Sequence, residues 1–333
     1  IKDKYGDMRR TRIMAASHEI NLEDMIEDED VVITLTHFGY IKRMPEGTYK
    51  PQRRGGKGII ALTKREEDFV EDLYITSTHS TILFFTNKGK VYSLKAYEIP
   101  EAGRQAKGTA IVNLLNLTGD EKVSAIIPLY KHNPEDNLVL ITREGIIKKT
   151  GLDQFENIRK SGLIAVSLHE SDELISVKLT DGSKDLIVVT KKGMAIRFSE
   201  KDVRNMGRSA MGVKAITLNE DDVVVAMEIV DDERNLLVIS ENGYGKRTPL
   251  TDYRLQNRGG KGLITYSIKE KTGDIVSAKV VSDHDEVMMI SLNGIVIRIG
   301  VSEISIMGRS TQGVTLMKMK DDKVVAVAMY MED

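Results

Sequence analysis

One short motif recurs six times along the chain and constrains the fold more than any other feature. It consists of an apolar run, then Ser or Thr, two further residues and glycine, as in "VITLTHFG" and "LIVVTKKG". The glycines are Gly39, Gly89, Gly145, Gly193, Gly243 and Gly294. The hydroxyl residues before them are Thr36, Thr86, Thr142, Thr190, Ser240 and Ser291. Because successive glycines are 48 to 56 residues apart, the chain contains six repeats of about fifty residues.

A second glycine follows each first one after 17 to 19 residues. These second glycines are Gly58, Gly108, Gly162, Gly212, Gly262 and Gly313. The first glycine fits a tight hairpin turn, which requires a positive φ. Alternating or β-branched segments such as "MAIRF", "LIAVSL" and "VVVAMEIV" follow the first apolar run. Each repeat is therefore predicted to form four strands.

Four-stranded units repeated along a chain are typical of a β-propeller, so the sequence predicts an all-β fold with six blades. The predicted blades span residues 31–80, 81–134, 135–183, 184–233, 234–284 and 285–333. An open β-solenoid is the alternative, although its rungs are usually shorter. Residues 1–30 are predicted to form a connector, which is acidic from Glu19 to Asp30 and has no Lys or Arg there.

Charge is distributed unevenly within each repeat. The chain has a formal net charge of -2, yet the six windows between paired glycines sum to +16 and the remainder to -18. Since the windows are equivalent, their cations should form a continuous basic belt around the blades. A curved row of cations suits the phosphates of duplex DNA. Aromatic residues make up 5% of the chain and tryptophan is absent, which argues against stacking on single strands.

The candidate DNA-binding residues are cations that recur in register. Four residues after the first glycine stand Arg43, Lys149, Arg197, Arg247 and Arg298, with Ser93 as the exception. Four residues before the second glycine stand Arg54, Arg104, Arg208, Arg258 and Arg309, whereas the shorter third repeat has Arg159 and Lys160 displaced. The remaining candidates in these windows are Lys42, Lys107 and Lys261. An ordinary solvated surface is the alternative for any single cation, and the recurrence argues against it.

The first window contains the heptapeptide "QRRGGKG", whose residues are Gln52, Arg53, Arg54, Gly55, Gly56, Lys57 and Gly58. Its glycines let backbone N–H groups approach a phosphate closely. Its arginines can form paired hydrogen bonds with phosphate oxygens, and its lysine adds a mobile charge. A flexible glycine-rich loop is the alternative interpretation. A weaker copy, "QNRGGKG", spans Gln256 to Gly262.

This heptapeptide matches the GyrA-box, and the whole chain resembles the C-terminal domain of the bacterial DNA gyrase A protein, in the type IIA topoisomerase family. "NGYGKRT" and "VSEISIMGRSTQGV" are similar to segments of that family, and "YGDMRRT" resembles the segment that leaves its coiled-coil arm. The resemblance implies a six-bladed β-pinwheel, in which neighbouring blades exchange strands. It also implies that the domain wraps DNA with positive handedness, so that the complete enzyme can introduce negative supercoils.

The resemblance further implies partners and cofactors outside this chain. The expected partners are double-stranded DNA, the rest of the gyrase A protein and the gyrase B protein, in a heterotetramer that contains two of each protein. ATP and Mg would act through other domains, so we expect no cofactor and no catalytic site in this segment. We expect the isolated domain to be monomeric and, with no cysteine and no membrane span in the sequence, to be cytoplasmic and associated with the nucleoid.

Two other functions stay open at this point. The equivalent domain of topoisomerase IV lacks an intact box, so residues 52–58 argue against it. A propeller that binds other proteins or acts as a small-molecule enzyme is the second alternative. The six histidines show no metal-ligand spacing, and no convergent acid–base cluster is evident, which argues against an enzyme site.

Overall fold

The computed structural model describes residues 2–6, 22–45, 70–103, 106–130, 132–293, 295–319 and 321–330. Residues 52–58 and Arg104 lie outside these ranges, as does much of the predicted connector. The described part of the connector contains a short helix, α1 (Lys2–Tyr5), and a 3-10 turn at Leu22–Met25. No helix among these residues is long and apolar enough to cross a membrane.

The six repeats supply strands of four kinds. The first strands are β1 (Asp30–Thr36), β4 (Thr81–Thr86), β8 (Asn137–Thr142), β12 (Asp185–Thr190), β16 (Asn235–Ser240) and β20 (Glu286–Ser291). The second strands are β2 (Tyr40–Pro45), β5 (Lys90–Lys95), β9 (Ile146–Gly151), β13 (Met194–Ser199), β17 (Tyr244–Pro249) and β21 (Val296–Gly300). The third strands are β6 (Thr109–Ala110), β10 (Leu163–Ile164), β14 (Val213–Lys214), β18 (Leu263–Ile264) and β22 (Val314–Thr315). The fourth strands are β3 (Val70–Ser77), β7 (Val123–Leu129), β11 (Leu174–Thr180), β15 (Val224–Ile229), β19 (Ile275–Val281) and β23 (Val324–Tyr330).

Neighbouring repeats exchange one strand. Each sheet has the order fourth, first, second strand of one repeat and then the third strand of the next, as in β11-β8-β9-β14. Within the described ranges five sheets have four strands, and the sixth has the three strands β21-β20-β23. The fourth strands lie at the centre, where β7, β11, β15, β19 and β23 neighbour one another in turn and β23 contacts β3, which closes the ring. The six-bladed pinwheel is thus confirmed, and the open solenoid is wrong.

The recurring hydroxyl and glycine close each first hairpin. In the first repeat Gly39, at φ +78, donates its N–H to the Thr36 carbonyl at 2.8 Å. The Thr36 hydroxyl accepts the Tyr40 N–H at 3.0 Å. In the fourth repeat the corresponding Thr190 hydroxyl donates to buried Asp222 at 2.7 Å. A buried hydroxyl needs such partners, which explains why Ser or Thr recurs at this position.

The second glycine explains the fixed interval to the first. A Cβ on Gly262 would lie 2.5 Å from the Ala195 carbonyl oxygen of the preceding blade, and its φ is +79. Only glycine fits this close approach with a positive φ. The chain then continues as a strand of two residues, because the next residues turn into the core: Thr265 donates its N–H to the Gly193 carbonyl at 2.8 Å. The observed third strand is therefore much shorter than the six-residue strand that the alternating segment predicted.

The core lies between blades rather than within one. Leu83 and Phe85 of β4 pack with Leu138 and Leu140 of β8, and equivalent clusters link the later repeats. First strands are buried on both faces, as β8 is along its whole length. This double burial explains their uninterrupted apolar runs.

Candidate nucleic-acid interface

The predicted cations fall into two structural classes, separated by burial. Four of the five that stand four residues after the first glycine have mostly buried side chains; we call Arg43, Lys149, Arg197 and Arg247 the fastening cations. Five others lie at the surface in or beside the turns before the third strands; we call Arg159, Lys160, Arg208, Lys261 and Arg309 the rim cations. The sequence had placed both classes on one belt.

Each fastening cation donates to a carbonyl group of the next repeat. Arg247 is 4% exposed, and its Nε donates to the Ile304 carbonyl at 2.7 Å and its guanidinium pairs with Asp283. The Lys149 Nζ donates to the Glu200 carbonyl at 3.0 Å. The Ile304 carbonyl follows the 3-10 turn Val301–Glu303, where carbonyl groups lack donors within the turn, so Arg247 satisfies it. The Glu200 carbonyl already accepts the Val203 N–H at 3.0 Å and gains a second donor from Lys149.

The other two fastening cations also form ion pairs, Arg43 with a residue of the next repeat and Arg197 with residues of its own repeat. Arg43 donates to the Ile99 carbonyl at 3.3 Å and lies 3.5 Å from Glu101. Arg197 donates to the Leu250 carbonyl at 3.3 Å and lies between Asp185 at 2.8 Å and Asp232 at 2.6 Å. The hydrogen bond from Arg197 lowers the pKa of Asp232. These cations fasten consecutive repeats in the structure.

The rim cations have a different environment. Arg159, Lys160 and Lys261 are exposed, and Arg208 and Arg309 are partly exposed. Their side chains make no hydrogen bond or ion pair with any other residue that the structure describes. The turns that carry them precede the third strands, which are the outermost strands of the sheets. The rim cations are therefore positive charges at the outer edge of the blades that have no hydrogen-bond or ion-pair partner among the described residues.

The remaining predicted residues are intermediate. Lys42 is buried and donates to the carbonyls of Gly103 at 3.3 Å and Ala106 at 2.9 Å. Lys107 is exposed and lies over the Tyr40 ring, 4.1 Å from its centroid. Arg258 donates to the main-chain carbonyls of Asp202 and Lys214, and Arg298 is exposed and pairs with Glu286.

Three exposed cations near the rim were missed by the sequence analysis: Arg204, Lys214 and Arg254. Arg204 and Arg254 hold equivalent positions, four residues before Arg208 and Arg258. That spacing was visible in the sequence, where Lys50 holds the equivalent position of the first repeat, but it occurs in only three of the six repeats. The residues that the structure describes contain no group of three His, Cys, Asp or Glu arranged to hold a metal ion.

A family model described as "DNA gyrase C-terminal domain, beta-propeller" matches the chain six times, once per blade. The matched residues are 30–77, 80–129, 136–181, 184–231, 234–282 and 285–329. The chain belongs to this family. It is 57% identical to the DNA gyrase A protein of Clostridium acetobutylicum, over 100% of this chain and 40% of that protein. It is 59% identical to the DNA gyrase A protein of Halalkalibacterium halodurans, over 98% of this chain and 39% of that protein.

Two solved structures of related domains have a similar fold. A DNA gyrase A C-terminal domain matches with a TM-score of 0.73 and 30% identity, over 91% of this chain and 100% of that one. The C-terminal domain of a DNA topoisomerase IV matches with a TM-score of 0.78 and 26% identity, over 92% and 94% of the two chains. The chain spans about two fifths of the length of the curated relatives.

Proposed function

We propose that this chain wraps duplex DNA around the outer edge of its blades, as the wrapping domain of a DNA gyrase. The observation that carries the proposal is the set of rim cations, which recur on the turns of successive blades and have no partner in the described structure. Unpaired cations are available to neutralise phosphates without first breaking an internal ion pair. Contacts of this kind position DNA but do not read its sequence.

The ring geometry favours wrapping over simple binding. A duplex that follows the outer edge must bend, at a cost of about 1–6 kcal/mol for each 20–30 bp bent by 40–90°. Phosphate contacts that recur at each blade can offset this cost, because each releases condensed counterions. The fastening cations would contribute by holding the blades in place, and the box at residues 52–58 would add phosphate contacts in the first repeat.

In the complete enzyme, we propose, the wrapped DNA forms a positive crossing, and strand passage converts it into negative supercoils. DNA cleavage would occur in the rest of the gyrase A protein and ATP hydrolysis with Mg in the gyrase B protein, within an assembly that contains two of each. This segment would be monomeric when isolated, without a catalytic site or cofactor of its own. It would act in the cytoplasm, on DNA of the nucleoid.

The equivalent domain of topoisomerase IV is the second candidate, since that structure gives the TM-score of 0.78. The two candidates differ in the expected topology of bound DNA. Nicked circular DNA ligated in the presence of a wrapping domain should show a positive shift in linking number. Binding without that shift would favour the topoisomerase IV alternative over the gyrase function.

Charge-matched variants test the rim itself. Arg208, Lys261 and Arg309 are changed together to Gln, and the control changes the exposed residues Lys122, Lys184 and Lys269, which lie outside the windows. If each rim cation contacts one phosphate, the slope of log affinity against log salt should fall by about 2.7 in the rim variant. The control should keep its slope and its topoisomer shift. An equal loss in both variants would contradict a DNA path along the rim.

A further inference from the structure

Consecutive repeats meet at junctions of two kinds, which alternate. The residue three positions after the first glycine is in turn Lys42, Tyr92, Lys148, Ile196, Lys246 and Ile297. Lysine therefore occupies this position in the odd repeats, and an apolar or aromatic residue occupies it in the even repeats. We call Lys42, Lys148 and Lys246 the pillar lysines. Such strict alternation needs a physical cause, because the strand that carries this residue is otherwise the same in every repeat.

Lys148 shows what a pillar lysine does. Its side chain is 1% exposed, and its ammonium donates to the carbonyls of Ala165, at 2.5 Å, and of Arg208. It also lies 3.4 Å from the carbonyl of Ala210. A buried ammonium loses its hydration, so it must find acceptors within the protein. Here two of these acceptors belong to one turn of the next repeat.

That turn carries a rim cation. Gly207 accepts the Ala210 N–H at 3.0 Å, so residues 207–210 form a tight turn with Arg208 inside it. The Arg208 carbonyl is bonded to the buried lysine, while the Arg208 guanidinium has no partner among the described residues. Lys148 thus holds the main chain of Arg208, while the guanidinium of Arg208 is available to bind a phosphate.

The same arrangement occurs at the Lys246 junction. Lys246 is 0% exposed and donates to the carbonyls of Gly308 at 2.6 Å and Arg309 at 2.5 Å. Lys42 donates to carbonyls on either side of residues 104 and 105, whose own structure lies outside the described ranges. The segments that begin at Gly103, Gly207 and Gly308 share a sequence that starts with Gly-Arg: "GRQA", "GRSA" and "GRST".

Among the described residues of the alternate junctions, no lysine binds the next loop; instead the Asn116 amide donates to the Lys160 carbonyl at 3.2 Å, and the Thr217 hydroxyl donates to the Gly259 carbonyl at 2.7 Å. A Cβ on Gly162 would lie 2.7 Å from the ring of Tyr92, and one on Gly260 would lie 3.6 Å from Ile196. At these junctions an apolar side chain packs against a glycine of the next loop. The lysines are therefore not a general requirement of the fold, since apolar packing closes the same junction in other repeats.

We infer that Lys148 and Lys246 are positioning residues for DNA wrapping: each fixes the turn that presents a rim arginine of the next repeat, Arg208 or Arg309, to the phosphate backbone. The inference rests on the proposed function and adds to it, because it assigns a DNA-related role to buried residues that cannot touch DNA. A positioned arginine can form paired hydrogen bonds with one phosphate, whereas a mobile turn would spread its charge over several orientations.

The test is a double-mutant cycle with the 333-residue chain and linear duplex DNA. The variants are Lys148→Met, Arg208→Gln and the two combined, each measured for the slope of log affinity against log salt. Loss of one phosphate contact lowers this slope by about 0.9. We expect Arg208→Gln to show that loss, Lys148→Met to show most of it, and the combined variant to lose no more than Arg208→Gln alone.

The control is Val188→Ala, which removes buried methyl groups from β12 in the same repeat as Arg208. It should lower the unfolding temperature and leave the slope unchanged. A slope unchanged in Arg208→Gln would refute the proposed rim, whereas a slope lowered in Arg208→Gln and unchanged in Lys148→Met would refute the positioning role. The pair Lys246 and Arg309 provides an independent second cycle if Lys148→Met does not fold.

Discussion

Replacing Arg247 by methionine tests whether this residue binds carbonyl groups of the next repeat or a phosphate of DNA. Methionine keeps most of the apolar stem but removes the Nε donor to the Ile304 carbonyl, at 2.7 Å, and the Nη2 donor to the Ser302 carbonyl, at 3.3 Å. Hydrogen bonds from a charged group contribute about 1.5–3 kcal/mol each when buried. The second bond is long and the Asp283 partner is 61% exposed, so both contribute less. We expect a loss of about 2–4 kcal/mol in the free energy of unfolding.

Two variants should then each change one property only, either the urea midpoint of unfolding or the salt slope of DNA binding. Arg247→Met should lower the urea midpoint and leave the salt slope of DNA binding at the wild-type value. Arg309→Met should lower the slope by about 0.9 and leave the midpoint unchanged. The stability control is Arg234→Met, whose ion pair with Asp231 at 3.1 Å is half exposed and should contribute at most about 1 kcal/mol.

One result would refute this reasoning. If Arg247→Met lowered the salt slope and unfolded at the same urea concentration as Arg234→Met, then Arg247 would contact phosphate, as the sequence pattern alone had predicted. The two carbonyl groups of the next repeat would then gain nothing from it.

Three further outcomes are expected. The pKa of both Lys148 and Lys246 is lowered to about 8, mainly by burial and also by nearby Arg208 and Arg309, while Asp252 opposes the shift at Lys246. From about pH 8 to the ordinary lysine range the unfolded chain therefore binds more protons than the folded chain, so the free energy of unfolding should rise with pH there. Lys148→Met should lose part of that rise in urea titrations. Gly262→Ala, with its Cβ 2.5 Å from a carbonyl oxygen, should destabilise the chain by more than about 2 kcal/mol, whereas Gly207→Ala, with nothing within 4 Å, should change the thermal midpoint little. Replacing the three basic residues of the box at residues 52–58 by alanine in a complete gyrase should reduce supercoiling more than relaxation, and equal loss of both in gel assays would indicate a folding defect instead.

Local features of the sequence predicted the blade well. The hydroxyl before each first glycine, such as Thr36, and the glycine itself act within a few residues, so their spacing indicated the hairpin and the repeat. The third strand was overestimated because its alternation continues into residues such as Thr265 that turn into the core. The exchange of strands came only from the family resemblance, because strand order depends on contacts between repeats.

Charge in register predicted where the cations stand but not which of them reach solvent. Arg247 and its acceptor Ile304 are 57 residues apart, and Lys148 and the Arg208 carbonyl are 60 apart. A count of charge in each window adds fastening and rim cations together, since both are simply positive residues in the sequence. The alternation of Lys148 with Ile196 was the available signal for burial, because an apolar residue at the equivalent position indicates a core environment.

Burial of the fastening cations and of the pillar lysines changes how a bend in bound DNA could be maintained. DNA held on a rim resists bending and exerts a restoring force on each phosphate contact. A rim that yielded would relieve that force by moving its turns, and the duplex would stay nearly straight. Arg247 and Lys246, which bind carbonyls of the next repeat from within the ring, oppose such movement at the junctions where the rim turns are carried. If the chain wraps DNA as proposed, the exposed cations would account for the affinity, and the buried cations for the rigidity that keeps the bound DNA curved.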